Sequence, residues 1–216
     1  MKNLNELAIK YKTDKKIPDG KKAKNGLYGH GYTPYYEQIF EGKKIKNLLE
    51  IGISFGGSLL MWNEFLPKTN IYGMDISGKR FKKKRQKLED KGIHIYIGDQ
   101  SNPKDLQVFR NIDFDVIIDD GGHRMQQQQV SFAELFPTLK SGGMYIIEDL
   151  HTSNKASFWD SFPEITTMQV LKKAIIKKDE KYRCNYITET QLKYIIDNTE
   201  AVDFYADKKL CVITKK

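Results

Sequence analysis

Apolar and polar positions follow one another in a repeating order: a short apolar run, a turn, an amphipathic stretch, then another apolar run. Leu48-Leu49-Glu50-Ile51, Ile71-Tyr72-Gly73-Met74, Ile93 to Ile97, Val116-Ile117-Ile118 and Tyr145-Ile146-Ile147 are the runs. Runs this short, bounded by turn residues, predict buried strands. Between the last two, Phe132, Leu135, Phe136 and Leu139 recur at i, i+3, i+4 and i+7, and Ser141-Gly142-Gly143 is expected to turn the chain from that helix into the next strand. A strand, helix, strand unit makes its two strands parallel. Leu4, Leu7, Ala8 and Tyr11 share one face of an amino-terminal helix, and a second helix should run from the glycines near position 56 to about Phe65. Thr33 suits the N-cap and Pro34 the first turn of another helix. A helical stretch is expected from about Glu164 to Lys178, and Ala201–Tyr205 with Leu210–Thr214 reads as a closing antiparallel hairpin.

The polar residues at the ends of the runs carry the chemistry. Glu50-Ile51-Gly52-Ile53-Ser54-Phe55-Gly56-Gly57 takes a strand into a glycine turn, Asp75 ends the second run, Gly98-Asp99-Gln100-Ser101 follows the third, Asp119-Asp120-Gly121-Gly122-His123 the fourth and Glu148-Asp149 the fifth. Parallel strands bring such ends to the carboxyl edge of a sheet, where open α/β folds bind ligands. Gly52 lets a backbone approach a ligand, and the following helix offers free N–H groups. Gly52, Gly56 and Gly57 do not fit the G-x-G-x-x-G spacing that seats a dinucleotide. Asp75, about twenty residues after the turn, suits ribose hydroxyls in either a nicotinamide or a methyl-donor enzyme. Asp119, Asp120, Glu148, Asp149 and His123 gathered at one edge include four acids that repel one another, and a divalent cation held through oxygen removes that cost.

At these residues the chain resembles the magnesium-dependent sugar O-methyltransferases that use S-adenosylmethionine (SAM) to methylate rhamnose or mycinose units of bacterial natural products. The family's Asp-Asp-Gly-small-His segment stands here as Asp119 to His123, and its Ile-Glu-Asp segment followed by Thr-Ser as Ile147 to Ser153. The resemblance is specific from about Tyr32 to Ser153 and architectural beyond. It implies metal ligands at Asp120, Glu148 and Asp149, a general base at His123, and cofactor contacts at Tyr32, Thr33, Glu50, Gly52, Ser54, Asp75, Asp99 and Gln100. Asp119 is grouped with the cofactor-binding residues, and two roles stay open for it, a hydrogen-bond partner behind the metal ligands and a strand-end cap. The implied fold is α/β, a Rossmann-like class I methyltransferase with a mostly parallel seven-stranded sheet and a C-terminal antiparallel β-hairpin. The implied cofactors are SAM and Mg2+, with Mn2+ as a substitute. A metal lowers the pKa of a hydroxyl beside it, and an imidazole of ordinary pKa, about 6.5, can take the proton.

Composition narrows the setting. A chain of 216 residues with 39% hydrophobic and 30% charged residues is expected to form a single globular domain, residues 1–40 being an amino-terminal helix and mobile lid packed on a methyltransferase domain at 41–216. The lid is the glycine- and lysine-bearing run from Lys16 to Gly31. MKNLNELAIKYKTDKK has no apolar signal core and no eighteen apolar residues run together, so a cytoplasmic protein without membrane partners is expected. Cys184 and Cys211 read as reduced, inert thiols. The net charge of +8 is concentrated in Lys79–Lys87 and in the lysines at 172, 173, 177 and 178. With no nucleic-acid motif beside it, Lys79–Lys87 reads as a solvated face rather than a nucleic-acid site.

The acceptor is the open point. The best-known members carry an extra amino-terminal domain, for which 216 residues leave no room. A nucleotide-linked sugar, a heptose or deoxysugar for capsule or surface polysaccharide, is therefore the expected acceptor, with a natural-product glycoside or a catechol-type phenol as the alternative. A homo-oligomer is left open. A nicotinamide oxidoreductase and a basic nucleic-acid module are the rivals from other classes. His94 is expected to be structural, His30 and His151 to be loop residues flanking the site, and the aromatic patch Phe158, Trp159 and Phe162 to be core or the floor of a sugar site.

Overall fold

A computed structural model describes residues 3–21, 28–161 and 164–216. Residues 22–27 of the expected lid, and Phe162 of the aromatic patch, lie outside the described residues. The chain divides into two compact units, residues 1–97 and 98–216.

The first unit contains α1 (Leu4–Tyr11), α2 (Thr33–Phe40), β1 (Asn47–Ile51), α3 (Gly57–Phe65), β2 (Asn70–Asp75), α4 (Arg85–Glu89) and β3 (His94–Ile97). β2 pairs in parallel with β1 on one side and with β3 on the other, in the registers Leu48↔Ile71 and Tyr72↔His94. Asn3 caps α1 by accepting the Glu6 N–H at 3.1 Å, and Leu4, Leu7 and Ala8 are buried, as the periodicity predicts. Tyr36, Phe40 and Trp62 pack edge to face, 4.9 Å separating Tyr36 from Trp62 and 5.7 Å separating Phe40 from Trp62, so α2 lies on α3. The start of α2 differs by one residue from expectation. Tyr32 is the N-cap and Thr33 the first helical residue, because the Thr33 hydroxyl donates to Asn5 Oδ1 at 3.2 Å instead of capping the helix. A Cβ on Gly73 would stand 2.6 Å from Leu59 Cδ1, so this glycine permits the close seating of α3 on β2. In the basic run Phe81 and Leu88 are buried while Lys82, Lys83 and Lys87 are exposed, which makes it a solvated face.

The second unit contains α5 (Pro103–Leu106), β4 (Phe114–Asp119), α6 (Met125–Leu135), β5 (Leu139–Ile147), α7 (Thr167–Gln169), α8 (Glu189–Asn198), β6 (Thr199–Tyr205) and β7 (Leu210–Lys215). A π-helical stretch, Val170–Ile175, continues α7. The strand order is β4-β5-β7-β6, with β4 and β5 parallel and β7 antiparallel to both of its neighbours. Among the described residues, seven strands flanked by helices, mostly parallel and finished by an antiparallel hairpin, give the Rossmann-like methyltransferase fold. Ser141-Gly142-Gly143 is placed differently from expectation. It lies inside β5, where the register with β4 jumps from Phe114↔Leu139 to Val116↔Met144 and Gly142 takes φ +73°. A three-residue helical turn, Phe136–Thr138, makes the reversal instead. α8 has no counterpart among the expected elements, although Thr188 and Gln191 form the capping box that announces it. No helix among the described residues is long and apolar enough to cross a membrane.

Candidate active site

In the first unit the turn after β1 is built from unusual backbone. Gly52 (φ +96°) donates its N–H to Met74 O at 2.7 Å, Ser54 takes the left-handed conformation at φ +47°, and Gly56 follows at φ +70°. Non-glycine residues visit this region at a cost, and such strain collects at functional turns. Asp75 holds the turn: its Oδ2 accepts the Ser54 N–H at 2.9 Å and its Oδ1 the Ser77 N–H at 3.0 Å. Glu50 is wholly buried and its Oε1 lies 3.2 Å from Nζ of Lys15, which is equally buried. Tyr32 and Thr33 are also wholly buried, and both donate backbone N–H groups to Lys15 O, at 3.0 and 3.1 Å. The structure thus brings Tyr32, Thr33 and Glu50 onto one residue, Lys15, that the sequence pattern did not single out. His30 packs edge to face on Tyr32 at 5.4 Å, and His94 stacks on Tyr72 at 4.7 Å in a structural role.

In the second unit Asp119 ends β4 as the acceptor of a buried network. Ser131 Oγ donates to its Oδ2 at 2.6 Å, Tyr145 OH to the same oxygen at 3.2 Å, and Gln100 Nε2 to Oδ1 at 3.0 Å. Burial pushes the Asp119 carboxyl up to about 6, against the opposing pull of the Ser131 and Gln100 hydrogen bonds. Burial, with the Asp119 charge second, also pushes the Tyr145 phenol well above its ordinary value. The other end of the Gln100 amide accepts the Gly122 N–H at 2.6 Å, so Gln100 fastens the 120–123 loop to the end of β4. Asp99 accepts the N–H and hydroxyl of Ser101, at 2.8 and 2.7 Å. Ser131 and Tyr145 were not legible as partners of Asp119, since helix and strand periodicity mark them only as members of their elements.

On the loop that Gln100 holds, Asp120 and His123 meet Asp149: each offers one ligand atom and these lie within 4.8 Å of one another. His123 Nε2 stands 3.5 Å from Asp149 Oδ2, and His151 Nδ1 stands 3.9 Å from Asp149 Oδ1. Asp149 takes φ +52°, a left-handed conformation that turns the chain directly after Glu148. Glu148, expected as a third acid ligand, is not in this group; it is buried, and its N–H donates to Asp119 O at 3.0 Å. Burial lowers the His151 pKa, partly offset by the Asp149 charge. His123 Nδ1 is buried without a hydrogen-bond partner among the described residues. Two carboxylates and an imidazole so placed form a donor set that fits a divalent cation.

The surroundings are pinned. Arg124 donates to Trp159 O at 3.1 Å and to Asp160 Oδ1 at 2.9 Å, and Asp160 Oδ2 accepts the Gln126 N–H at 2.9 Å, so the 156–161 loop is fastened to the start of α6. Trp159 Nε1 donates to Ser153 O at 3.2 Å. The half-buried Phe158 ring lies 6.4 Å from the His123 ring.

No protein-family model matches the chain. It is 35% identical over 173 residues to a demethylmacrocin O-methyltransferase of Streptomyces fradiae, a stretch covering 74% of this chain and 38% of that protein. It is 35% identical over 144 residues to a mycinamicin VI 2''-O-methyltransferase of Micromonospora griseorubida, covering 62% of this chain and 34% of the relative. The chain therefore spans less than two fifths of the curated relatives it matches. Among solved structures, the MycE methyltransferase from the mycinamycin biosynthetic pathway, in complex with Mg, S-adenosylhomocysteine (SAH) and mycinamycin VI, superposes with a TM-score of 0.75 at 28% identity, over 99% of this chain and 54% of that one.

Proposed function

For a chain that belongs to the class I, SAM-dependent sugar O-methyltransferase family, we propose metal-assisted transfer of a methyl group from SAM to a hydroxyl of a sugar. The observation that carries the reading is the convergence of Asp120, His123 and Asp149, with Gln100 and Asp119 holding the loop behind them. Asp120 and Asp149 would hold a divalent cation, Mg2+ or Mn2+. A cation held there would supply positive charge that makes the proton of an acceptor hydroxyl easier to remove. His123 takes that proton; Asp149, 3.5 Å from Nε2, stabilises the imidazolium that results. Bound SAM would supply the methyl group, its sulfur–methyl bond breaking as the acceptor oxygen–methyl bond forms and its sulfonium ending as a neutral thioether. In the first unit, Ser54 and the glycines of the turn admit the cofactor closely, Asp75 receives the ribose, and Glu50, Tyr32 and Thr33 line the methionine end.

The acceptor is a sugar already carried as a glycoside. The relatives are named as O-methyltransferases of demethylmacrocin and mycinamicin VI, not of nucleotide sugars, which supports this reading over a nucleotide-linked sugar for capsule, and the half-buried Phe158 ring offers an apolar face to the C–H side of a sugar. The test is a labelled methyl group offered through SAM to two acceptor pools, rhamnosyl and other deoxysugar glycosides in one and nucleotide sugars in the other. Label in the glycoside pool is expected, with Phe158→Ala raising KM several-fold while kcat changes less. Label confined to the nucleotide sugars would return the acceptor to the surface-polysaccharide reading.

A further inference from the structure

The first unit contains a charge arrangement that neither strand periodicity nor the glycine turn accounts for. Lys15 and Glu50 are both wholly buried and pair at 3.2 Å, thirty-five positions apart in sequence. Burying two charges is costly, and removing either partner leaves the other uncompensated. The Lys15 carbonyl accepts the N–H groups of Tyr32 and Thr33, while His30 N–H donates to Asp14 O at 2.6 Å and Gly31 N–H to Lys16 O at 2.9 Å. Residues 14–16 and 30–33 are therefore laced together by backbone hydrogen bonds, and the Lys15 ammonium fastens the lacing to the penultimate residue of β1, two before Gly52. A second contact reinforces this on the far side of the turn. Gly57, the first residue of α3, lies so close to the preceding segment that a Cβ there would stand 2.8 Å from Tyr11 O and 3.6 Å from Thr13 Cβ.

We propose that Lys15 is a positioning residue for the cofactor: its ammonium fixes Glu50 and its carbonyl fixes Tyr32 and Thr33, so that the cofactor site and the laced segment are ordered together. The inference rests on the reading that the first unit binds SAM. It also changes what Glu50 does. A Glu50 already neutralised by Lys15 is a poor counter-ion for the ammonium of a methionine end, so its contribution is geometric. The two roles predict opposite signs. If Glu50 acted mainly as a counter-ion, removing the Lys15 charge would tighten binding; if Lys15 positions the site, removal weakens it.

The probe is SAH, titrated calorimetrically into the full chain. Binding to the unaltered protein comes first, because its absence would remove the premise, and the inference with it. Lys15→Met and the doubly neutral Lys15→Met/Glu50→Gln, which leaves no unpaired buried charge, are then compared after circular dichroism confirms folding. At least tenfold weaker binding in both is expected. Affinity within twofold of the unaltered protein, or tighter, would overturn the proposal. Hydrogen exchange on the unaltered protein supplies an arm that needs no variant to fold. SAH should slow exchange at the amides of 30–33 together with those of 50–54, and slowing confined to 50–54 would equally refute it.

Discussion

In the proposed reaction His123 is the base, and its two ring nitrogens stand in different surroundings. One faces Asp149 at 3.5 Å and the other is buried without a partner among the described residues. His123→Asn should lower kcat by a factor of about 10² to 10⁴, with cation affinity, followed by thermal shift, changing far less. A loss of cation binding as large as the loss of rate would make His123 a ligand rather than the base. The thiols permit a separate check. Burial pushes the Cys184 thiol up to about 11 and the wholly buried Cys211 thiol higher still. A raised pKa lowers the thiolate fraction, so at pH 8 Cys184 in the folded chain should alkylate on the order of a hundredfold more slowly than an ordinary cysteine, and faster only as pH approaches 11. Equal rates in native and denatured protein would contradict that environment. At this scale the sequence disclosed the acids and the imidazole because each ends an apolar run. It did not disclose Lys15, Ser131 or Tyr145, whose importance comes from what the fold places beside them.

The elements repeat the lesson with a different boundary. Strands were legible because short apolar runs between turn residues leave few alternatives, and the closing hairpin matches β6 and β7 closely. Where the helix after β4 gives way to β5 was not, because a glycine pair can signal either a turn or a bulge and only the register decides. Here the pair sits in the bulge of β5, with Gly142 at φ +73° and no atom within 4 Å of a Cβ placed on it. Gly142→Ala should therefore cost about 1 kcal/mol, all of it backbone strain, seen as a lower urea midpoint with unchanged SAH affinity. A neutral substitution would mean that the left-handed bulge is not maintained in solution. α8 was missed because its buried face, Leu192, Ile195 and Ile196, is short and set among polar residues, and its capping box was the only strong local sign.

At the scale of the molecule, the first compact unit carries the strained turn after β1 and the second carries the group of Asp120, His123 and Asp149. The chain spans only part of its relatives' length, so the acceptor is the least constrained element of the account, and the cation the most consequential. The expectation of a nucleotide-linked acceptor arose from chain length and the lysine-bearing run from Lys16 to Gly31, neither of which says how a hydroxyl is held. The most direct measurement is transfer of labelled methyl from SAM to a rhamnosyl glycoside by the purified chain, with Mg2+ present, after EDTA, and after Mg2+ is restored. The account predicts transfer that disappears with EDTA, returns with Mg2+, and is lost in Asp120→Asn at every Mg2+ concentration tested. Transfer that continues undiminished in EDTA would show that the carboxylates serve another purpose and that the proton leaves without a metal's help.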